Sequence, residues 1–171
     1  MSIQSTPRAS RLHIALIGKR NAGKSSLINA LTGQGIALVS PVAGTTTDPV
    51  YKSFELQGLG PVVFIDTAGL DDDGELGLLR VEKTRQVLDK TDLAVLVLTG
   101  QPDQELGWLE ALREKKIPVL AVLNKSDSLP DALALAARLS DFIKQPVLPV
   151  SAATGENVDK LRQELIPLAP D

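Results

Sequence analysis

The sequence has no cysteine, one histidine, and one each of methionine, tryptophan and tyrosine beside three phenylalanines. Without thiols it can form no disulfide, bind no metal through thiolates and hold no thiolate-ligated iron–sulfur cluster. His13 has no cysteine or second histidine to build a metal site with, so it reads as an ordinary residue near the entry of a strand. There is no excess of positive charge either. Lysine and arginine number 18 against 21 aspartates and glutamates, a net charge of −3. That argues against broad electrostatic binding to nucleic acid or anionic membranes, though it leaves room for a local patch. No run approaches the roughly 18 apolar residues of a membrane span. The polar opening, Met1 to Arg11, lacks the apolar stretch of about 7–15 residues found in a secretory signal. The cytoplasm is the expected location.

What is present is ordinary for a globular domain: 43% hydrophobic and 23% charged residues over a length of 171. A chain of that size suits one domain and buries about 70% of its unfolded surface. Residues 1–10 read as a disordered lead-in, and residues 11–171 as the domain. The stretch that stands out is Gly18-Lys19-Arg20-Asn21-Ala22-Gly23-Lys24-Ser25, between the apolar run Leu12 to Ile17 and the helix-like Ser26 to Leu31. Strand, glycine-bounded loop and helix in that order match the P-loop pattern G-x-x-x-x-G-K-[ST]. A polyphosphate must be wrapped by backbone N–H groups, and glycine allows the close approach and the required dihedrals. The cradle expected here runs through Asn21, Ala22, Gly23, Lys24, Ser25 and Ser26, at the positive end of a helix. Lys24 is placed to neutralise the β and γ phosphates, and the Ser25 hydroxyl to ligand Mg²⁺.

The rest of the chain alternates strand and helix signals. The helix after the P-loop should end near Gly33 or Gly35, followed by a long loop from Gln34 to Val50 that reads as a lid. Tyr51 to Leu56 alternates like a half-exposed strand, and Gly58 to Gly60 turns it into the buried strand Val62 to Ile65. A surface helix is expected over Leu79 to Leu88, strands at Leu93 to Leu98, Pro118 to Leu123 and Pro146 to Val150, and a helix over Pro102 to Lys115 in which Trp108 packs. The last two helices are expected over Ala132 to Ile143, with Asp131 as a cap, and over Asn157 to Ile166, stopped by Pro167. This pattern predicts a three-layer, doubly wound α/β fold. Its sheet is six-stranded and parallel except for the strand near 51–56. Ligands of such sheets bind beyond the carboxyl ends of the strands, and the unusual polar clusters all fall there.

Asp66, ending a strand ahead of Thr67-Ala68-Gly69, either caps the turn or reaches Mg²⁺; beside a P-loop the metal role is the stronger expectation, and the Gly69 N–H can meet a γ-phosphate. Asn124-Lys125-Ser126-Asp127 selects the base. A carboxylate at Asp127 can accept from N1–H and the 2-amino group of guanine, whereas adenine has neither donor on that edge. Asn124 can tie the loop, the Lys125 stem can lie along the ring, and backbone N–H groups of Ser151 and Ala152 can reach guanine O6. In the lid, Thr45, Thr46 and Thr47 offer hydroxyls, with Thr46 the candidate to complete the Mg²⁺ shell. The acidic run Asp71, Asp72, Asp73 and Glu75 is a solvated loop within reach of the γ-phosphate.

With these elements in order, the chain resembles a small Ras-like P-loop GTPase domain over roughly residues 11–167. The strings G-x-x-N-A-G-K-S-S-L-I-N-A-L-T-G and A-G-T-T-T-D resemble the bacterial Era, Der and MnmE branch. Pro41 to Val50 and Gly60 to Gly77 are similar to the GTPase domain of the HydF family of hydrogenase maturation proteins, other branch members usually having Arg where Thr47 stands. The resemblance implies GTP and GDP as ligands and Mg²⁺-dependent GTP hydrolysis used as a switch; because the lid and the Glu75 region read as loops, turnover is expected to be slow and the lid disordered without nucleotide. It further implies that Asn21 ligands an activating K⁺, its shell completed by carbonyls around Ser40 to Thr45, and that G domains can dimerise. Leu70 stands where Ras-like proteins use a water-orienting Gln, which makes Glu75 the candidate to position water. In a HydF-type protein a dimerisation domain, an iron–sulfur domain and hydrogenase maturation partners would lie beyond this portion. The alternative is an Era-, Der- or MnmE-like switch in ribosome assembly or tRNA modification.

Overall fold

Among the described residues, six strands form one sheet in the order β2-β3-β1-β4-β5-β6. They are Leu12–Gly18 (β1), Val50–Leu56 (β2), Gly60–Asp66 (β3), Leu93–Leu98 (β4), Val119–Leu123 (β5) and Val147–Pro149 (β6). The coordinates are a computed structural model that describes residues 12–18, 23–33, 50–56, 58–66, 85–98 and 104–168. All neighbouring strands pair in parallel except β2 with β3, as the sequence pattern predicts. The helices are Lys24–Thr32 (α1), residues 85–90 (α2), Gln104–Glu114 (α3), Ala132–Ile143 (α4) and Val158–Leu168 (α5).

Both faces of the sheet are covered, and alternate residues of each strand serve alternate faces. Ile14 and Leu16 of β1, with Val95 and Val97 of β4, pack with α1 and α5 through Leu27, Ile28, Leu31, Leu161 and Leu165. Ala15 and Ile17, with Leu96 and Leu98, pack with α2, α3 and α4 through Val87, Leu88, Leu109, Leu112, Leu139 and Ile143. Every residue of β4 is buried, which explains why it reads as a continuous apolar run. The helix after β1 lies on one face and the helix after β4 on the other. The carboxyl ends of these adjacent strands therefore form the crevice where the chain direction reverses.

The end of α1 falls where expected, and other boundaries differ for identifiable reasons. Gly33 ends α1 in the left-handed conformation (φ 69°), its N–H donating to the Asn29 carbonyl at 2.9 Å. Asp131 does not cap α4 with its side chain. Its backbone is left-handed (φ 53°, ψ 48°) rather than extended, so only its carbonyl enters the helix, accepting from Leu135 N–H at 3.0 Å. Pro167 lies inside the last turn of α5 and does not stop it. The helical bond it cannot make is to the carbonyl of exposed Gln163, which water can satisfy. Leu79 and Val81 of the predicted surface helix lie outside the described residues, and the described part of α2 buries Val87 and Leu88 as the pattern requires. At the opposite end of the sheet from the crevice, His13 N–H donates to the Asp92 carboxylate at 2.9 Å, and Asp92 N–H returns a bond to His13 O at 2.9 Å. His13 therefore fastens β1 to the start of β4, and no group of histidine, aspartate and glutamate among the described residues could hold a metal.

Candidate nucleotide-binding site

The glycines that bracket the phosphate loop are fixed by the protein before any ligand is considered. A Cβ at Gly18 would lie 2.6 Å from the carbonyl oxygen of Val97, its register partner on β4. Gly23 has φ 86°, and a Cβ there would lie 2.5 Å from Asn124 Nδ2. Close backbone packing against β4 and against the 124 loop thus adds to the phosphate argument read from the sequence. Lys24, first residue of α1, is 3% exposed, and its ammonium folds back to donate to the Gly18 carbonyl at the end of β1. Gly23 supplies no side-chain cap and the first turn has no acidic residue, so the positive end of α1 has no carboxylate of its own there. Ser25 is half-buried in that turn and Ser26 is exposed.

Asn124, 5% exposed at the end of β5, joins three segments of the chain. Its Nδ2 donates to the Gly23 carbonyl at 3.4 Å and its Oδ1 accepts from Ala152 N–H at 3.2 Å. Lys125 follows in the left-handed region (φ 63°), a conformation that costs a non-glycine residue about 1–2 kcal/mol. Its carbonyl accepts both Ser128 N–H at 3.0 Å and Ser128 Oγ at 3.1 Å, which hold the turn. Its stem runs within 3.7 Å of a Gly23 Cβ position, alongside the phosphate loop. Asp127 is exposed in the free chain rather than buried, with Oδ1 accepting from Ser151 Oγ at 2.7 Å.

The loop after β6 departs from expectation in how it is used. The N–H groups of Ser151 and Ala152 are engaged by Glu156 O, at 3.0 Å, and by Asn124. The contribution of Ser151 is instead its fully buried hydroxyl, which accepts from Thr154 N–H at 3.1 Å and steadies Asp127. That role was not read from the sequence, although a serine after a buried strand, facing an aspartate loop, is the signal for it.

Between these loops and α1 lies a cavity of about 520 Å³, within the range of about 300–1,000 Å³ usual for small-molecule sites. Gly23, Ser26, Asn124, Lys125, Asp127 and Ala152 line it, joined by Asn29, Ala30, Gly33 and Ala153, which sequence reading missed. Ser26, Asn29, Ala30 and Gly33 follow helical spacing along α1, and that stripe was the available clue. Asp66 ends β3 beside Leu16 of β1, at the same edge of the sheet as Ser25, though its side chain is outside the described set. Asn21, Ala22, Thr46, Gly69 and Glu75, with Leu70 and the rest of the lid, also lie outside the described residues. The Ser25 hydroxyl at that edge is an oxygen of the kind Mg²⁺ takes, one or two coming from protein and the rest from phosphates and water.

A phosphate loop at the crevice, joined by one asparagine to a carboxylate-bearing loop across a nucleoside-sized cavity, defines a P-loop guanine-nucleotide-binding domain. Residues 13–125 match the family described as 50S ribosome-binding GTPase, and the chain belongs to it. It is 40% identical over 162 residues to the tRNA modification GTPase MnmE of Bordetella parapertussis, covering 92% of this chain and 34% of that protein. It is 35% identical over 170 residues to the GTPase Der of Wolinella succinogenes, covering 92% and 36%. The structure of a variant of Aquifex aeolicus Era bound to GDP·AlF4⁻ superimposes with a TM-score of 0.76 at 28% identity, covering 93% of this chain and 57% of that one. The chain spans about a third of the length of these curated relatives. It binds GTP and GDP, and it is an enzyme that hydrolyses GTP. None of the described helices is long and apolar enough to cross a membrane.

Proposed function

We propose that this domain is the nucleotide-driven switch of a longer protein that acts in tRNA modification or ribosome assembly. The observation behind this reading is the 35–40% identity to MnmE and Der over 92% of the chain, together with the base-reading loop built on Asn124 and Asp127. Its test is binding of the full-length protein to tRNA and to ribosomal subunits with a GTP analogue and with GDP; equal, absent or nucleotide-independent binding to both would refute it.

In hydrolysis, Lys24 stabilises charge on the β and γ phosphates, while the positive end of α1 receives the phosphates. Ser25, Asp66 and Thr46 would hold Mg²⁺, which neutralises the β and γ oxygens when bound. Gly69 N–H meets the γ-phosphate, and Glu75 positions the attacking water. Asn21 would ligand K⁺, which would supply positive charge to stabilise the charge developing on the phosphates. Hydrolysis in KCl is therefore expected to exceed that in NaCl at matched ionic strength, and equal rates in the two salts would sink the potassium role. Cytoplasmic location, the lead-in over 1–10 and G-domain dimerisation belong to the same reading.

A second reading, hydrogenase maturation, is favoured by Pro41 to Val50 and Gly60 to Gly77, including Thr47 where related branches usually have Arg. None of the relatives named above is a hydrogenase maturation protein. The full-length gene discriminates the two readings. A downstream cysteine-rich segment whose product carries iron and sulfide supports hydrogenase maturation, and an RNA-binding domain supports the first.

A further inference from the structure

Asn29 has an unusual combination of features. It lies on α1 one turn beyond Ser26 and lines the nucleotide cavity, yet its Oδ1 is buried without a hydrogen-bond donor. The other asparagine of the cavity, Asn124, uses both ends of its amide. A sealed carbonyl oxygen with no donor disfavours the free state, and an alanine or leucine here would carry no such cost while favouring the helix more. Nearby, Thr32 Oγ1 donates to the backbone carbonyl of Asn29 at 3.2 Å and not to its side chain. A ligand in the cavity is therefore the natural source of a donor, and the amide torsion is soft enough to turn the oxygen toward it.

The bound nucleotide limits what that donor can be. Phosphates offer acceptors. Guanine N1–H and the 2-amino group match the Asp127 carboxylate in the 126–128 turn. The ribose, which bridges base and phosphates, carries the two remaining donors. We propose that Asn29 reads the sugar: its Oδ1 accepts a hydrogen bond from a ribose hydroxyl, so the domain prefers ribonucleotides over deoxyribonucleotides. This rests on the cavity holding a guanine nucleotide, and GDP binding itself tests that premise separately.

The experiment titrates GDP, 2′-deoxyGDP and 3′-deoxyGDP calorimetrically into the chain and into Asn29→Ala, in Mg²⁺. The unsubstituted chain is expected to bind one of the deoxy nucleotides roughly three- to tenfold more weakly than GDP, the worth of one neutral hydrogen bond. Which analogue loses affinity identifies the hydroxyl. Asn29→Ala should lose the same factor for GDP and bind GDP and that analogue equally. Equal binding of all three nucleotides by the unsubstituted chain overturns the proposal, as does discrimination that persists in the variant. If circular dichroism shows Asn29→Ala unfolded, Asn29→Leu is read the same way, since leucine keeps the volume and the helix. No GDP binding at all, or equal binding of GDP and ADP, would refute the guanine occupant, and the sugar contact with it.

Discussion

Replacing Asp127 by asparagine should reverse the base preference of the site, and the surrounding hydrogen bonds determine how. Ser151 Oγ donates to Asp127 Oδ1 at 2.7 Å, and the buried serine is itself held by Thr154 N–H. In Asp127→Asn the same hydroxyl selects the amide oxygen, which turns the amide nitrogen toward the base. That nitrogen is a donor facing two guanine donors. Xanthine, with a carbonyl at position 2, accepts from it. Asp127 is exposed in the free chain, so water already satisfies the carboxylate and each bond to guanine has a net value near the low end, about 1–1.5 kcal/mol. Losing two such bonds weakens GDP by roughly 30- to 150-fold, and one new bond tightens xanthosine diphosphate by about tenfold. Calorimetric titration of both diphosphates measures this directly. With Ser151→Ala added, the amide is free to turn over and the xanthine preference should narrow. Unchanged GDP affinity in Asp127→Asn would falsify base reading by this carboxylate.

Gly23→Ala places a methyl group 2.5 Å from Asn124 Nδ2 on a left-handed backbone. It should destabilise the fold by about 1–3 kcal/mol in a urea titration and also weaken GDP binding; normal GDP affinity would show that the link between the two loops is dispensable. Asp92→Ala removes the 2.9 Å bond from His13 N–H. That should cost about 1 kcal/mol of stability and leave GDP affinity unchanged, because His13 and Gly18 are separated by about 16 Å of strand. A GDP affinity altered more than about threefold would contradict that separation.

Much of this architecture is legible in the sequence because local chemistry and tertiary environment agree. Leu93–Leu98 is apolar throughout because both faces of the central strand are covered, and Ala132–Ile143 has the predicted bounds. Failures occur where a local rule depended on backbone conformation. Asp131 has a capping side chain on a left-handed backbone, and Pro167 falls where its lost helical bond faces water. In the site, residue types and spacing singled out Asn124 and Asp127, both of which line the cavity. The hydroxyl role of Ser151, the exposure of Asp127 and the contribution of Asn29 depend on how segments about 25 to 100 residues apart meet. No short motif encodes those distances.

The link made by Asn124 also has a consequence for the order in which the protein is synthesised. The phosphate loop leaves the ribosome early, but the bonds from Asn124 to Gly23 and from Ala152 to Asn124 need β5, β6 and the loop beyond them. The face of the sheet behind α1 is completed only by Val158, Leu161 and Leu165 of α5. A nascent chain therefore acquires the guanine pocket near the end of this domain's translation, not when its signature motif emerges. Nucleotide binding then stabilises the completed domain selectively, by RT ln(1 + [L]/Kd). At cellular GTP concentrations, an occupied pocket marks a finished domain.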